Sequence, residues 1–287
     1  MDLYTISRRD LLRTTLAGAA AAGALGGIAR RAFAAPVTLD QLKKTGEMRI
    51  GVEVAYPPFV FRDKGAIVGY DVDLAGVFCK TLGVKPNFID TQWSGVIPSL
   101  YAGRFDIIMA SMSITKERVQ RVAFSIPYAE ASQALLVRQE DKDRIKTIED
   151  MSDRILGIKL GSPGEVLHKR IAERLVQVRG KGFKDVKTYD DHPAAYLALA
   201  QGTVDGVLNT LPTLAQVVKD RPGRYVIVRG VGQESWAGIA ARKEDSEIIA
   251  FLDRELTRLK QNGELYGLQE KWFGFRMKLA DRVPSFD

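Results

Sequence analysis

The sequence predicts an α/β protein of two lobes, each an open, mostly parallel sheet flanked by helices, with two hinge strands joining them. Three observations lead there. Short apolar runs alternate with amphipathic stretches, which is the rhythm of βαβ units. The rhythm occurs twice, once from Met48 and again from Ile155. Two further apolar runs, 132–137 and 236–241, fall where the chain would leave and rejoin the first series.

In the first series a strand is expected over 49–54, a helix over 73–82, a strand over 85–89, a helix over 95–101 closed by Gly103, and a strand over 105–110. The second series gives a strand over 155–160, a helix opening at Pro163, a strand over 186–189, a helix over 194–200 and a strand over 205–209. Between them, Arg138 to Arg144 is a charged stretch without an apolar residue, either plain solvated surface or the exit from lobe one. After the second apolar run, Asp245 is the expected cap of a helix carrying Ile248, Leu252, Leu256 and Leu259 toward Gly263. The expected layout is a leader at 1–34, the first part of lobe one at 36–137, lobe two at 138–234 and a return segment at 235–287. About 250 residues beyond the leader exceed what one core usually supports, so each lobe should bury its own.

The leader is read from Ser7-Arg8-Arg9-Asp10-Leu11-Leu12, paired arginines ahead of an Ala/Gly/Leu stretch over 16–28, with Ala32-Phe33-Ala34 offering small residues to a signal peptidase. The apolar stretch is shorter than the ~20 residues a spanning helix needs. It is also diluted by glycine and followed by Arg30-Arg31. Export to the periplasm by the twin-arginine route is therefore expected, with a mature chain starting near Ala35. No cysteine follows the cleavage region to carry a lipid anchor.

The leader accounts for five of the 42 Lys and Arg and two of the 35 Asp and Glu, leaving 37 basic and 33 acidic residues. So mild an excess, spread over the whole chain, argues against a nucleic-acid partner and for a small molecule. The single Cys79 can form no internal disulfide and falls on the apolar side of an expected helix. His168 and His192 lack the neighbours of a metal site or a triad, so no cofactor or metal is expected.

Six segments carry a resemblance: Gly51 to Phe59 with Tyr56-Pro57-Pro58, Gly69 to Ala75 with Asp71 and Asp73, Trp93 to Leu100, Phe105-Asp106-Ile107-Ile108, Met112 to Arg118, and Phe124 to Tyr128. In this order, and ending with Lys271-Trp272-Phe273-Gly274, they resemble the periplasmic amino-acid-binding proteins of polar amino-acid ABC importers, solute-binding protein family 3. The likeness covers nearly all of the chain after the leader. It implies the type II periplasmic binding protein fold, a carboxylate-bearing ligand held in the interlobe cleft, an inner-membrane ABC permease as partner, and a monomer.

Arg118 is the first candidate. Thr115 can cap a helix beginning at Lys116, which puts Arg118 in its first turn, where a cation is unfavourable unless it faces an anion. A guanidinium matches the two oxygens of a carboxylate. The resemblance implies that Arg118 grips the ligand's α-carboxylate, helped by Ser111 and Ser113, although a surface arginine paired with Glu117 or Asp106 is the plainer alternative. Tyr56 and Trp93 are the implied walls of the cleft, or else core aromatics. In Gly161-Ser162-Pro163-Gly164-Glu165, the Ser162 and Glu165 spacing reads as a capping box with Pro163 at the first helical position. A plain helix cap is the reading from the residues alone; the resemblance implies that Gly161 and Ser162 also meet the ligand's carboxylate, although Pro163 departs from the family's Gly-Thr-Thr run by deleting a hydroxyl and an amide donor.

Two departures bear on the ligand. Thr210 stands where relatives carry an aspartate for the ligand's α-ammonium, and a hydroxyl cannot neutralise a buried cation. Glu53 and Lys159 stand where relatives sense the ligand's side chain; they read the ligand, pair with one another, or are solvated. The functional expectation is a solute-binding component of an ABC importer, without enzymatic activity, for an amino acid or related organic acid. The alternative is a cyclohexadienyl-dehydratase-like enzyme on the same fold, with Glu165 or Glu53 as its acid.

Overall fold

The structure, a computed structural model, describes residues 36–286; the expected leader lies outside them. The chain begins with α1 (Leu39–Thr45), whose Thr38 and Gln41 form a reciprocal capping box and whose end is a left-handed Gly46. Then follow β1 (Glu47–Val52), β2 (Ala55–Tyr56), β3 (Val60–Asp63), β4 (Ala66–Val68), α2 (Tyr70–Leu82), β5 (Lys85–Asp90), α3 (Val96–Tyr101) and β6 (Ile107–Ile108). The first pass ends with α4 (Lys116–Val119), β7 (Ala123–Phe124) and β8 (Ala129–Glu130).

The middle of the chain supplies β9 (Gln133–Arg138), β10 (Ile155–Lys159), α5 (Pro163–Arg179), β11 (Asp185–Tyr189), α6 (His192–Ala200), β12 (Gly206–Thr210), α7 (Leu211–Asp220) and β13 (Tyr225–Val228). It returns through β14 (Trp236–Ala237), β15 (Ala240–Ala241), α8 (Ser246–Gln261) and α9 (Glu264–Phe273).

Ten of these strands make two five-stranded sheets, ordered β5-β1-β6-β15-β7 and β11-β10-β12-β9-β13. β5, β1 and β6, and likewise β11, β10 and β12, pair in parallel, whereas β15 in the first sheet and β9 in the second run antiparallel to both their neighbours. This is the expected two-lobed α/β fold. The apolar run 132–137 is not itself the crossing: as β9 it lies inside the second sheet, between β12 and β13. Its four central residues are buried because helices cover both faces of that sheet, which is why it reads as a continuous apolar run. The strands pass between lobes at β8 and β14, which pair antiparallel. The run 236–241 divides into β14 there and β15 in the first sheet.

One core cluster packs α2, α8 and α9 on the first sheet, with Phe78, Leu74 and Leu252 fully buried. Two clusters cover opposite faces of the second, one around Leu156 and Leu175, the other around Leu199 and Leu214. Cys79 is a buried free thiol, as read from the sequence. The β2-β3-β4 meander was not expected; it folds back so that the Tyr70 and Asp71 amides donate to the carbonyls of Pro58 and Phe59. Gly69 at that join has φ 137°, and a Cβ there would lie 2.1 Å from the Phe59 carbonyl oxygen, so only glycine fits. Among the described residues no helix is long and apolar enough to cross a membrane.

Candidate functional site

The carboxyl ends of β1, β6, β10 and β12 face one another between the lobes, the position where open α/β sheets bind ligands. Arg118 enters from α4. The Thr115 hydroxyl accepts the Arg118 amide at 3.3 Å, as the sequence implied. Arg118 is 9% exposed as a residue, and its guanidinium donates to the carbonyls of Ser113, at 2.9 Å, and of Gly161 in the other lobe, also at 2.9 Å. It also lies 5.2 Å from the centroid of the Trp93 ring. Burial, only partly offset by Glu117, pulls its pKa down to about 10. Asp106, the suggested surface partner, is instead bound to Arg49 at 2.6 Å.

Trp93 is presented by a 3-10 turn before α3 and donates its indole N–H to the same Gly161 carbonyl at 3.0 Å. Ser111 holds a φ of 50°, rare for a side-chain-bearing residue, and its amide donates to the Tyr128 hydroxyl at 2.9 Å. That backbone turn leaves its own hydroxyl buried without a hydrogen bond. The Ser162 hydroxyl across the cleft is in the same condition.

The capping box expected at Ser162 does not form. Pro163 is at the first helical position as expected, but the Ser162 side chain makes no cap hydrogen bond, and Glu165 turns back to accept the Gly161 amide at 2.7 Å. Gly161 has a left-handed φ of 70°, and this geometry releases the Ser162 hydroxyl toward the cavity.

Tyr56 closes another side. Its hydroxyl donates to Asn209 Oδ1 at 2.9 Å and lies 3.0 Å from the Thr210 hydroxyl, while Asn209 donates to the Tyr196 hydroxyl at 2.6 Å. Thr210 is further tied to Thr213 at 3.1 Å, so its hydroxyl is embedded in a side-chain network. Burial raises the Tyr56 hydroxyl to about 12, so it is a neutral donor. Of the three readings for Glu53 and Lys159, plain solvation is excluded: they form an ion pair with each other from opposite lobes, both buried, and both line the cavity. Desolvation raises Glu53 and lowers Lys159, and each partner opposes the shift of the other.

Glu53, Tyr56, Trp93, Ser111, Ser113, Arg118, Lys159, Ser162 and Thr210, with Gly161 by its contacts, thus gather at one place. The cavity they enclose is about 30 Å³, room for one or two waters. A molecule the size of an amino acid therefore enters only when the lobes or these side chains move apart. Gln133, Asn209 and His192 also line it and escaped the sequence reading. His192 begins α6 at the carboxyl end of β11, the topological position that could have flagged it. Its ring lies against Tyr56, centroids 5.5 Å apart, and burial holds it neutral. Among the described residues no cluster of His, Cys, Asp and Glu is arranged to hold a metal.

Two α/β lobes whose strand ends enclose a buried guanidinium, with aromatic walls, define a cleft-type solute-binding protein of the type II fold. The chain belongs to the bacterial extracellular solute-binding proteins, family 3, whose pattern matches residues 48–275. It is similar to the L-cystine-binding protein TcyJ of Escherichia coli (strain K12), 30% identical over 263 residues, which is 91% of this chain and 96% of the relative. Among solved structures it resembles the ancestral amino-acid-binding protein AncCDT-1, a precursor of cyclohexadienyl dehydratase, with 35% identity, TM-score 0.73, and 82% and 98% of the two chains covered. An ancestral arginine-binding protein bound to glutamine is 36% identical with TM-score 0.71, covering 80% of this chain and 98% of that one. These relatives are binding proteins, so the dehydratase alternative is not favoured. Its two proposed acids are moreover engaged, Glu53 with Lys159 and Glu165 with the Gly161 amide.

Proposed function

We propose that this chain is the periplasmic solute-binding component of an ABC importer, exported by the twin-arginine route, which captures a small carboxylate-bearing ligand as a monomer and without turning it over. The observation that carries this reading is the juxtaposition of three groups around one cavity: the buried Arg118 guanidinium, hydrogen-bonded among the described residues only to backbone carbonyls, and the Ser111 and Ser162 hydroxyls from opposite lobes, unpartnered among those same residues. A carboxylate supplies the acceptors that all three call for. A group bridging Arg118 and the Ser162 turn stabilises the state in which both lobes contact it, which is how binding drives closure.

The rotation is assigned to the β8 and β14 crossing, where the Ala131 amide donates to the Ser235 carbonyl at 2.8 Å. Lobe one then comprises the chain up to this point and again after it. The closed form would dock on a membrane permease.

The ligand's amino group is the open chemical question. Thr210 offers it only a neutral hydroxyl, already shared with Tyr56 and Thr213, which cannot neutralise a buried cation. The reading favoured is a ligand without an α-ammonium, such as an organic or keto acid, or one whose ammonium draws on Glu53.

A thermal-shift screen of the purified protein against amino acids including L-cystine, keto acids, dicarboxylates and aromatic acids tests the proposal. A ligand at a hundred times its Kd adds ~2.7 kcal/mol, a rise of roughly 5–10 °C at this size. The shift should vanish in Arg118→Gln. A shift undiminished by that change, no carboxylate that shifts the wild type, or turnover of prephenate or arogenate would overturn it.

A further inference from the structure

We propose that Lys159 is a built-in occupant of a cation-binding box made by Glu53, Tyr56 and Trp93, and that it excludes cationic amino acids from this cleft. This rests on the reading of the cleft as a carboxylate-ligand site and specifies which ligands that site refuses.

Glu53 and Tyr56 follow β1, and Trp93 precedes α3, so the three come from the first lobe. Lys159 is the last residue of β10 in the second. Its Nζ is bonded to the Glu53 carboxylate and lies 5.0 Å from the Trp93 ring centroid and 5.8 Å from that of Tyr56. A carboxylate with two aromatic faces, all within ~6 Å of one positive nitrogen and shielded from water, is the chemistry by which proteins recognise ammonium and guanidinium groups. Lys159 is 3% exposed and Glu53 9%, so the pair is desolvated.

The charge inventory of the cavity points the same way. Its lining carries Arg118 and Lys159 against Glu53, with His192 held neutral by burial, while Asp90 and Asp191 stand outside it on the far side of Glu53. An arginine or lysine side chain entering the box would have to expel the Lys159 ammonium, taking a buried cation from its hydrogen-bonded counter-charge on the side of the cleft that already holds Arg118. A neutral or acidic side chain faces no such competition, and an acidic one gains Lys159 as a partner. Specificity here is therefore set by a repulsive element as much as by attraction.

The box becomes available if position 159 loses its charge while keeping its bulk. Lys159→Met, and as a second version Lys159→Leu, should convert the cleft into one that recognises a positive side chain. Isothermal titration with L-arginine and L-citrulline reads this directly, because the two have the same shape and α-groups and differ only in the side-chain charge. Any cost of seating the α-ammonium cancels between them.

In the wild type, L-arginine should bind no more tightly than L-citrulline. In either Lys159 variant, L-arginine should be preferred at least tenfold, and adding Glu53→Gln should abolish the preference. A wild type that already prefers L-arginine tenfold, or folded variants that treat the two ligands alike, overturns the proposal. If the wild type still binds some carboxylate through Arg118 in that case, the solute-binding reading stands and only the exclusion role falls. If no ligand binds in an Arg118-dependent way to any version, both fall together.

Discussion

Arg118 and Trp93 share one acceptor: the guanidinium and the indole N–H of the first lobe both reach the Gly161 carbonyl of the second, at 2.9 and 3.0 Å. A single oxygen thus gathers two donors that a ligand carboxylate oxygen would also satisfy. Arg118→Lys keeps the charge but not the planar fork, so one ammonium must replace two directed donors. Affinity for the ligand found by screening should fall at least tenfold in Arg118→Lys and a hundredfold or more in Arg118→Gln, measured by titration calorimetry. Equal binding by the lysine variant would argue that the guanidinium geometry is irrelevant.

Gly161 itself accepts a side chain only at a cost. Its φ of 70° disfavours any residue with a Cβ by roughly 1–2 kcal/mol, and that Cβ would sit 3.3 Å from Trp93 Cδ1 in the opposite lobe. The first cost applies whether the lobes are together or apart; the second applies only when they meet. Gly161→Ala should therefore weaken ligand binding by about tenfold, more than its modest loss of melting temperature would suggest. A loss of stability with unaltered affinity would contradict the interlobe contact.

Ser162 gives the opposite pattern. Since its hydroxyl caps nothing, Ser162→Ala should leave the melting temperature of the free protein within ~1 °C of wild type, where a working cap would cost about 1 kcal/mol. Ligand affinity should still drop several-fold. A drop in stability of the size expected for a lost cap would show that the hydroxyl serves α5 after all.

The pH dependence of stability should be dominated on one side by Asp71, in the first turn of α2. Burial raises this carboxyl from its ordinary 3.8 to about 7, and among the described residues neither of its oxygens has a hydrogen-bond partner. A carboxyl whose folded value exceeds its unfolded one binds protons more tightly in the native state. Its contribution is therefore greatest below about 4, declines as the pH rises, and is fully lost above about 7. Asp71→Asn removes that decline. Urea midpoints should show the variant gaining on wild type as the pH goes from 4.5 to 8, by a few kcal/mol at most since each unit is worth about 1.4. A gap that stays constant across this range would remove the argument.

Much of this was legible in the sequence because the signals were local. The βα rhythm around β1, α2 and β5, and again around β10 and α5, is carried by spacing within ten or twenty residues. Arg118 could be found for the same reason: Thr115, three positions away, fixes its turn. Other parts failed where distant contacts decide. Ser162 has the spacing of a capping box, but the left-handed Gly161 turns its hydroxyl elsewhere. The run that became β9 is apolar because two helical layers cover it, which no local pattern distinguishes from a hinge. His192 and Asn209 enter the cleft only because β11 and β12 end beside the Tyr56 loop, a relationship between residues more than a hundred positions apart.

The interleaving of β15 between β6 and β7 has a kinetic corollary. Every strand of the second sheet comes from one uninterrupted stretch, Gln133 to Val228, whereas the first sheet lacks its fourth strand until Ala240 has been made. During synthesis the inner lobe can close its hydrogen bonds while the outer one still exposes the edges of β6 and β7. The nascent chain is then at its most aggregation-prone in the interval before the last fifty or so residues emerge.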